Sequence, residues 1–378
     1  MRIAVFSDTF YPQVNGISYI LDRMRFYMEQ KDIPHLFVVP GKEETVDENL
    51  LTFPGRNFVL YPEIKLAFPK FRKIRDGLDL FQPDVIHLAT QFNMGWMGLK
   101  YGRHENIPVI SSYHTDYFSY LHYYHLSWLK KPLAYYLNWF HSFSRINFGP
   151  SLSTVKQMNE LGVCHTCLWP HGVDSNIFNP GHRSIPFRKQ HLKDDQLLLL
   201  YVGRLAPEKN LDVLLEASRI LEDHDIPYRL FIVGDGPSRL SLETRAPKSV
   251  TFCGYRTGVE LASIYASADV FVFPSTTETF GNVVLEAMAS GLPVIATKVG
   301  GVSDNLLDEY NGLAFQSGDP VDLAEKVARL VSNRKLLENL GTQALLYAQE
   351  RSWDRVFDQY IKTVEAVIRP PLDTNQIA

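Results

Sequence analysis

The sequence predicts an α/β protein built from two doubly wound parallel sheets. Three observations predict it. Short apolar runs bounded by turn residues alternate with helical patterns along the chain. The length of 378 residues suits two domains rather than one. After residues 178–195, a stretch holding Pro180, Gly181, Pro186 and several charges, the alternation starts afresh.

Residues 2–6 read as a strand, followed by a loop to Gly16 and an amphipathic helix from about Ile17. Gly16, at a strand-to-helix turn, lets backbone come close to a ligand. A strand at 35–40, a polar loop at 41–57, and strands at 83–88 and 108–115 follow. Ligands of such sheets lie beyond the carboxyl ends of the strands, where Gly16 and His114 both fall. Residues 117–148 are dense in rings, among them Tyr120, Tyr123, Tyr124, Trp128, Tyr135 and Phe148. A strand at 146–150, a helix at 151–161 capped by Ser151 and a strand at 167–170 lead to the turn His171-Gly172-Val173-Asp174. Residues 178–195 read as the linker.

In the second half, a strand at 197–202 ends in the loop Gly203 to Asn210 and a helix runs through Leu221. A strand at 228–233 ends in Gly234-Asp235-Gly236-Pro237, and 250–255 is another extended stretch. The apolar run 268–274 leads into 277–297, where a helix opens after Gly281 and stops at Gly291, with Pro293 beyond. Helices at 319–332 and 353–368 complete the chain. The expected domains are 1–180 and 196–352, with a terminal helix at about 353–370 packing back on the first. Two similar sheets imply a cleft between them.

Two sets of side chains suggest chemistry. Glu278 precedes the helix that follows Gly281, and Glu286 lies on it. Free N–H groups at a helix start suit an anion, and carboxylates accept hydrogen bonds from hydroxyls. A phosphorylated sugar-like ligand fits that pattern; so does an ordinary strand–loop–helix unit with two solvated glutamates. Arg204 and Lys209 follow a strand end, five residues apart. Such a pair suits a pyrophosphate, the first as a fork and the second as a point charge.

Composition narrows the classes. A net charge of −4 argues against a nucleic-acid partner. Three cysteines cannot make a disulfide framework, which favours a reducing, cytoplasmic setting. Cys164 and Cys167 have metal-like spacing without a second pair, and a thiol pair is the simpler reading. No run of 18 apolar residues is present, and residues 1–6 read as a strand rather than a signal peptide.

Taken together, Gly203-Arg204-Leu205, Pro207-Glu208-Lys209-Asn210, Gly234-Asp235-Gly236-Pro237, Glu278-Thr279-Phe280-Gly281 and Glu286-Ala287-Met288-Ala289 resemble the family 4 retaining glycosyltransferases of the GT-B fold. Asn15-Gly16, His114-Thr115-Asp116 and His171-Gly172-Val173-Asp174 extend the resemblance into the first half. It implies two Rossmann-like domains and a nucleotide-sugar donor, with no metal and no other cofactor. It implies that Arg204 and Lys209 hold the pyrophosphate and neutralise the leaving group. It places Glu286 at the ribose, Glu278 with the backbone of Thr279, Phe280 and Gly281 at the transferred sugar, and Asn282 among the donor-binding residues. The backbone near Cys253 would meet the base, Gly16 the distal phosphate, and His114 the sugar near the reacting carbon. The family usually carries two glycines in the first loop, and here the first is Asn15. A 2-epimerase of nucleotide sugars on the same fold is the alternative activity.

The stretch from His114 to Tyr124 looks like the glycolipid-forming branch, which transfers mannose, glucose or sulfoquinovose to diacylglycerol-type acceptors. The acceptor expected is therefore a lipid, with a soluble sugar as the alternative. Residues 64–75 carry Lys65, Lys70, Arg72, Lys73 and Arg75 without an acid, interleaved with Leu66, Phe68, Phe71 and Ile74. That mixture suits an anionic membrane surface. It predicts a peripheral protein on the inner face of the cell membrane.

Overall fold

A computed structural model describes residues 1–13, 15–41, 47–58, 61–123, 126–193 and 195–368. Tyr124 lies outside them, as do the side chains of Ile64, Lys65, Leu66, Tyr120 and Tyr123. The chain divides into two compact units, one of residues 1–115, 128–170 and 354 onward, the other of 116–127 and 171–353.

Strands of the first unit are β1 (Ile3–Phe6), β2 (His35–Pro40), β3 (Leu50–Phe53), β4 (Gly55–Phe58), β5 (Tyr61–Ala67), β6 (Val85–Leu88), β7 (Val109–Ser112), β8 (Asn147–Gly149) and β9 (Thr166–Leu168). Seven of them form a parallel sheet in the order β3-β2-β1-β6-β7-β8-β9. β1, β2, β6 and β7 are buried along their whole length, which is why they read as mostly apolar runs without polar alternation. The strand order reverses between β1 and β6, so the ends of these two strands form the switch point where such sheets take ligands.

The terminal helix Trp353–Ile368 belongs to this unit from residue 354. The Tyr360 ring packs on Trp169 with centroids 4.8 Å apart, and its hydroxyl lies 2.9 Å from His87 Nδ1. His87 is fully buried, and burial holds its imidazole at about 3, neutral at any working pH. Tyr27 adds a 2.5 Å bond to Asp358.

The second unit holds β10 (Leu197–Val202), β11 (Tyr228–Val233), β12 (Val250–Gly254), β13 (Val270–Phe273), β14 (Val294–Thr297) and β15 (Gly312–Phe315). They form one parallel sheet in the order β12-β11-β10-β13-β14-β15, with its switch point between β10 and β13. Among the described residues no helix is long and apolar enough to cross a membrane.

Three expectations need correction. The expected loop at 41–57 contains β3, and Gly55–Phe58 and Tyr61–Ala67 form the antiparallel pair β4–β5. Leu50 to Phe53 is too short a run to be told from loop by pattern, yet Phe53 is buried in the sheet's core. The stretch 178–195 is no loose linker. It forms the turn Pro180–His182 and the helix Ile185–His191. Arg183 and Arg188 fasten it to the buried carboxylate of Asp269, at 2.9 Å each, and to the carbonyls of Ala266, Ser267 and Ala268. The basic stretch 64–75 is not one surface either. It spans the end of β5 and the start of the helix Phe71–Phe81, where Ile74 is buried while Phe68, Arg72, Lys73 and Arg75 are exposed.

Candidate active site

The switch point of the second sheet gathers most of the residues singled out above. β10 ends at Val202, and the loop beyond it carries Arg204 and then the tight turn Pro207–Lys209. β13 ends at Phe273, and the loop beyond it carries Glu278. The two strands are neighbours, so their loops leave the sheet side by side. Lys209 Nζ is ion-paired with Glu278 Oε1 there, and Ser275 Oγ donates to the same carboxylate oxygen at 3.2 Å. Asn210 Nδ2 to Thr276 Oγ1, 3.4 Å, ties the loops a second time. Burial lowers the affinity of the Arg204 guanidinium for its proton, and the nearby Glu208 carboxylate opposes that.

The loop after β11 is locked to the loop after β10. Leu205 N donates to Asp235 O at 2.9 Å and Ser238 N to Leu205 O at 2.9 Å. At Gly234, whose φ is 136°, a Cβ would stand 1.9 Å from the Gly203 carbonyl oxygen. Only glycine permits that approach, so Gly234 serves the mutual packing of two site loops.

Residues 278–281 are clamped by backbone on one side. Gly301 N donates to Glu278 O at 2.7 Å. A Cβ on Gly301 would stand 2.2 Å from Thr279 O, so residues 300–301 press directly on the loop. Asn305 Nδ2 holds the Phe280 carbonyl at 2.9 Å. Gly281, at φ 83°, turns the chain into the helix Asn282–Ala289 and offers no side chain to cap it.

Glu286 sits one turn into that helix, half-buried, with Tyr265 OH donating to its Oε2 at 3.1 Å. Burial pushes the carboxyl up to about 7, and the Tyr265 hydrogen bond acts in the opposite direction. It is therefore not a solvated surface glutamate. Cys253, on β12, is part-buried, and burial pushes its thiol up to about 11. Gly234 N donates to the carbonyl of the next residue, Gly254, at 2.9 Å. Among the described residues no three His, Cys, Asp or Glu side chains gather as a metal site would require.

Gly16 and His114 lie in the first unit. The helix Gly16–Gln30 starts at Gly16 with Asn15 as its cap. Asn15 Oδ1 accepts from Ile17 N at 3.1 Å and Ser18 N at 2.9 Å. That engages two of the N–H groups a phosphate would otherwise use. His114 follows β7, buried, its ring edge-on to Trp169 at 5.7 Å. Asp116, in the second unit, caps the helix Tyr117–Tyr123 by accepting from Ser119 N at 3.2 Å.

His171, part of a motif quoted above but given no role there, has its Nδ1 2.8 Å from Asn282 Oδ1. Sequence reasoning missed three further contributors: Tyr265, which supports Glu286; Ser275, which supports Glu278; and residues 300–301. None has a local signal. Each acts on a residue distant in sequence, except Ser275, which is an ordinary serine at a strand end.

Comparison with known proteins identifies the family of the chain. The family model described as Glycosyltransferase Family 4 matches residues 14–177, and the model described as Glycosyl transferases group 1 matches residues 183–346. A GDP-mannose-dependent alpha-mannosyltransferase of Mycobacterium tuberculosis is 33% identical, over 97% of this chain and 97% of its own. An alpha-monoglucosyldiacylglycerol synthase of Streptococcus pneumoniae is 29% identical over 78% of this chain and 71% of its own. Among solved structures, the Anabaena protein HepE in complex with UDP-glucose superposes with a TM-score of 0.77. It covers 97% of this chain and all of its own at 21% identity, a likeness of fold. With both halves matched and a relative one-third identical along almost its entire length, this chain belongs to the family 4 glycosyltransferases of the GT-B fold.

Proposed function

We propose that the protein is a retaining hexosyltransferase that moves a sugar from a nucleotide-sugar donor, of the GDP-mannose or UDP-glucose type, to a membrane lipid. The observation that carries this reading is the pairing of two supported carboxylates at one switch point: Glu278, held by Lys209 and Ser275, and Glu286, held by Tyr265. One suits the hydroxyls of a sugar and the other those of a ribose. Arg204 and Lys209, on the neighbouring loop, suit the pyrophosphate between them. The relatives' names support the donor and acceptor classes: one is GDP-mannose-dependent, the other a synthase of a glucosylated diacylglycerol.

In this reading Arg204 and Lys209 bind the diphosphate and stabilise the charge that grows on it as the glycosidic bond breaks. Glu278, the backbone of Thr279, Phe280 and Gly281, and Asn282 hold the sugar, with His114 near the reacting carbon. Glu286 holds the ribose, the backbone at Cys253 meets the base, and Gly16 approaches the distal phosphate. No metal takes part. Retention by a covalent intermediate needs a carboxylate nucleophile. Asp116, the carboxylate nearest His114 in sequence, is engaged as a helix cap, which favours front-face displacement with the leaving phosphate taking the acceptor's proton.

The acceptor reading extends to membrane attachment on the inner face of the cell membrane. Trp128 and Tyr135 are 73% and 77% exposed, and Lys130 and Lys131 are exposed between them at the start of the helix Lys130–His141. Exposed rings among cations suit a headgroup layer.

The experiment is incubation with labelled GDP-mannose and UDP-glucose, with and without lipid extract. Label entering the lipid phase only when lipid is added, with the donor's anomeric configuration kept, supports the reading. Release of a free epimer instead means a 2-epimerase, and transfer to water-soluble sugars alone means a soluble acceptor.

A further inference from the structure

We propose that His171 is a positioning residue for sugar transfer, fixing the orientation of the Asn282 carboxamide through its ring N–H. The inference rests on the function proposed above and adds a residue to its sugar-holding loop.

His171 belongs to the second unit and is 3% exposed. Its Nδ1 lies 2.8 Å from Asn282 Oδ1. Its ring packs on Phe280, with centroids 4.6 Å apart at 49°, and stacks at 6.2 Å on Trp353. The backbone beneath it is fixed: Val173 N donates to Arg351 O at 2.8 Å, and Val173 pairs with Ser352 in a parallel bridge. A Cβ on Gly172 would meet Trp353 N at 2.6 Å, so the two strands of chain touch backbone to backbone. The imidazole therefore reaches Asn282 from a rigid base.

An amide oxygen only accepts, so the shared proton sits on His171 Nδ1. Burial holds this imidazole at about 4, so it is neutral, with a single N–H, at working pH. An asparagine side chain can present either its oxygen or its NH2 to a ligand. With Oδ1 engaged by His171, the NH2 is the group left to face outward. Asn282 is the first residue of the helix after the sugar-holding turn. An outward NH2 there donates to a sugar hydroxyl or a phosphate oxygen, whereas an outward oxygen would repel the phosphate. Phe280 gains from the same contact, its ring held by His171 and its carbonyl by Asn305.

Three substitutions separate the N–H from the ring. His171→Phe keeps the ring on Phe280 and removes the N–H. His171→Asn loses the ring and places an amide N–H where Nδ1 stood. Asn282→Ala removes the group acted on. Loss of one neutral hydrogen bond corresponds to roughly a five- to tenfold fall, so His171→Phe and Asn282→Ala should each lower kcat/KM by about that factor. His171→Asn should stay within about twofold of the parent by the same measure. The double change His171→Phe with Asn282→Ala should be no slower than Asn282→Ala alone. An active parent with His171→Phe unimpaired, with His171→Asn slower than His171→Phe, or with additive losses in the double variant overturns the proposal and leaves the function standing. A parent that transfers no sugar from either donor overturns the function and this inference with it.

Discussion

Lys209 and Glu278 meet across the switch point of the second sheet, the lysine from the loop after β10 and the glutamate from the loop after β13. Both side chains are largely buried, with 13% and 20% of their surface exposed. A pair so placed links the group proposed for the diphosphate to the group proposed for the sugar. With Ser275 it also fixes the position of the Glu278 carboxylate from two sides.

Replacing Arg204 or Lys209 by Ala is expected to lower turnover, by about a hundredfold, as well as donor affinity, because charge on the leaving diphosphate grows in the transition state. Steady-state kinetics with varied donor reads both. A raised Michaelis constant with turnover intact would reduce these residues to anchors.

In the proposed function Glu286 gives donor binding a pH dependence. Its carboxyl sits at about 7 in the folded protein, above its ordinary 4.5. A raised acid favours the folded state in its protonated form, below about 4.5, and that contribution fades as pH rises from 4.5 through 7. Ribose hydroxyls donate to the ionised form. Affinity for the nucleotide sugar, whose diphosphate diester does not titrate in this range, should climb about tenfold from pH 6 to pH 8. Glu286→Gln should flatten the climb, and a slope surviving in that variant would assign it to another group.

Asn15 stands where the family usually has a glycine, and its side chain occupies Ile17 N and Ser18 N. Asn15→Gly should free those donors at a cost in stability of only a few tenths of a kcal/mol. Donor affinity should rise by about tenfold or more if Gly16 and its neighbours meet the distal phosphate, roughly the worth of one charge-assisted bond. Unchanged affinity, with the melting temperature unchanged, would remove Gly16 from the donor site.

Flotation with vesicles tests membrane attachment. Recovery with anionic vesicles at low salt, loss of recovery at high salt, and weaker recovery with Trp128→Ala or Lys130→Ala are expected. Equal recovery with neutral and anionic vesicles, or none with either, contradicts electrostatic attachment.

Much of this architecture is legible in the sequence because parallel strands buried on both faces are short, continuous apolar runs, and β1, β10 and β13 are of that kind. That Arg204, Lys209 and Glu278 lie in loops after strands is legible because each follows a strongly apolar run in the sequence. Their supports are not. Asp269 fastens Arg183 and Arg188 from more than 80 residues away, and Tyr265 reaches Glu286 from a different helix. Residues 300–301 read as a plain turn until their backbone is seen against Glu278 and Thr279. The local pattern at 50–53 is likewise too short to separate a strand from a loop.

Whether the switch point of the second sheet holds the donor is decided by calorimetric titration of Glu286→Ala and the parent protein with nucleotide sugar at pH 8. Losing a charged hydrogen-bond partner of the ribose is expected to cost roughly 1.5–3 kcal/mol, about a ten- to hundredfold weaker dissociation constant, with the melting temperature preserved. A dissociation constant unchanged by the substitution would contradict the account and return Glu286 to a structural role beside Tyr265.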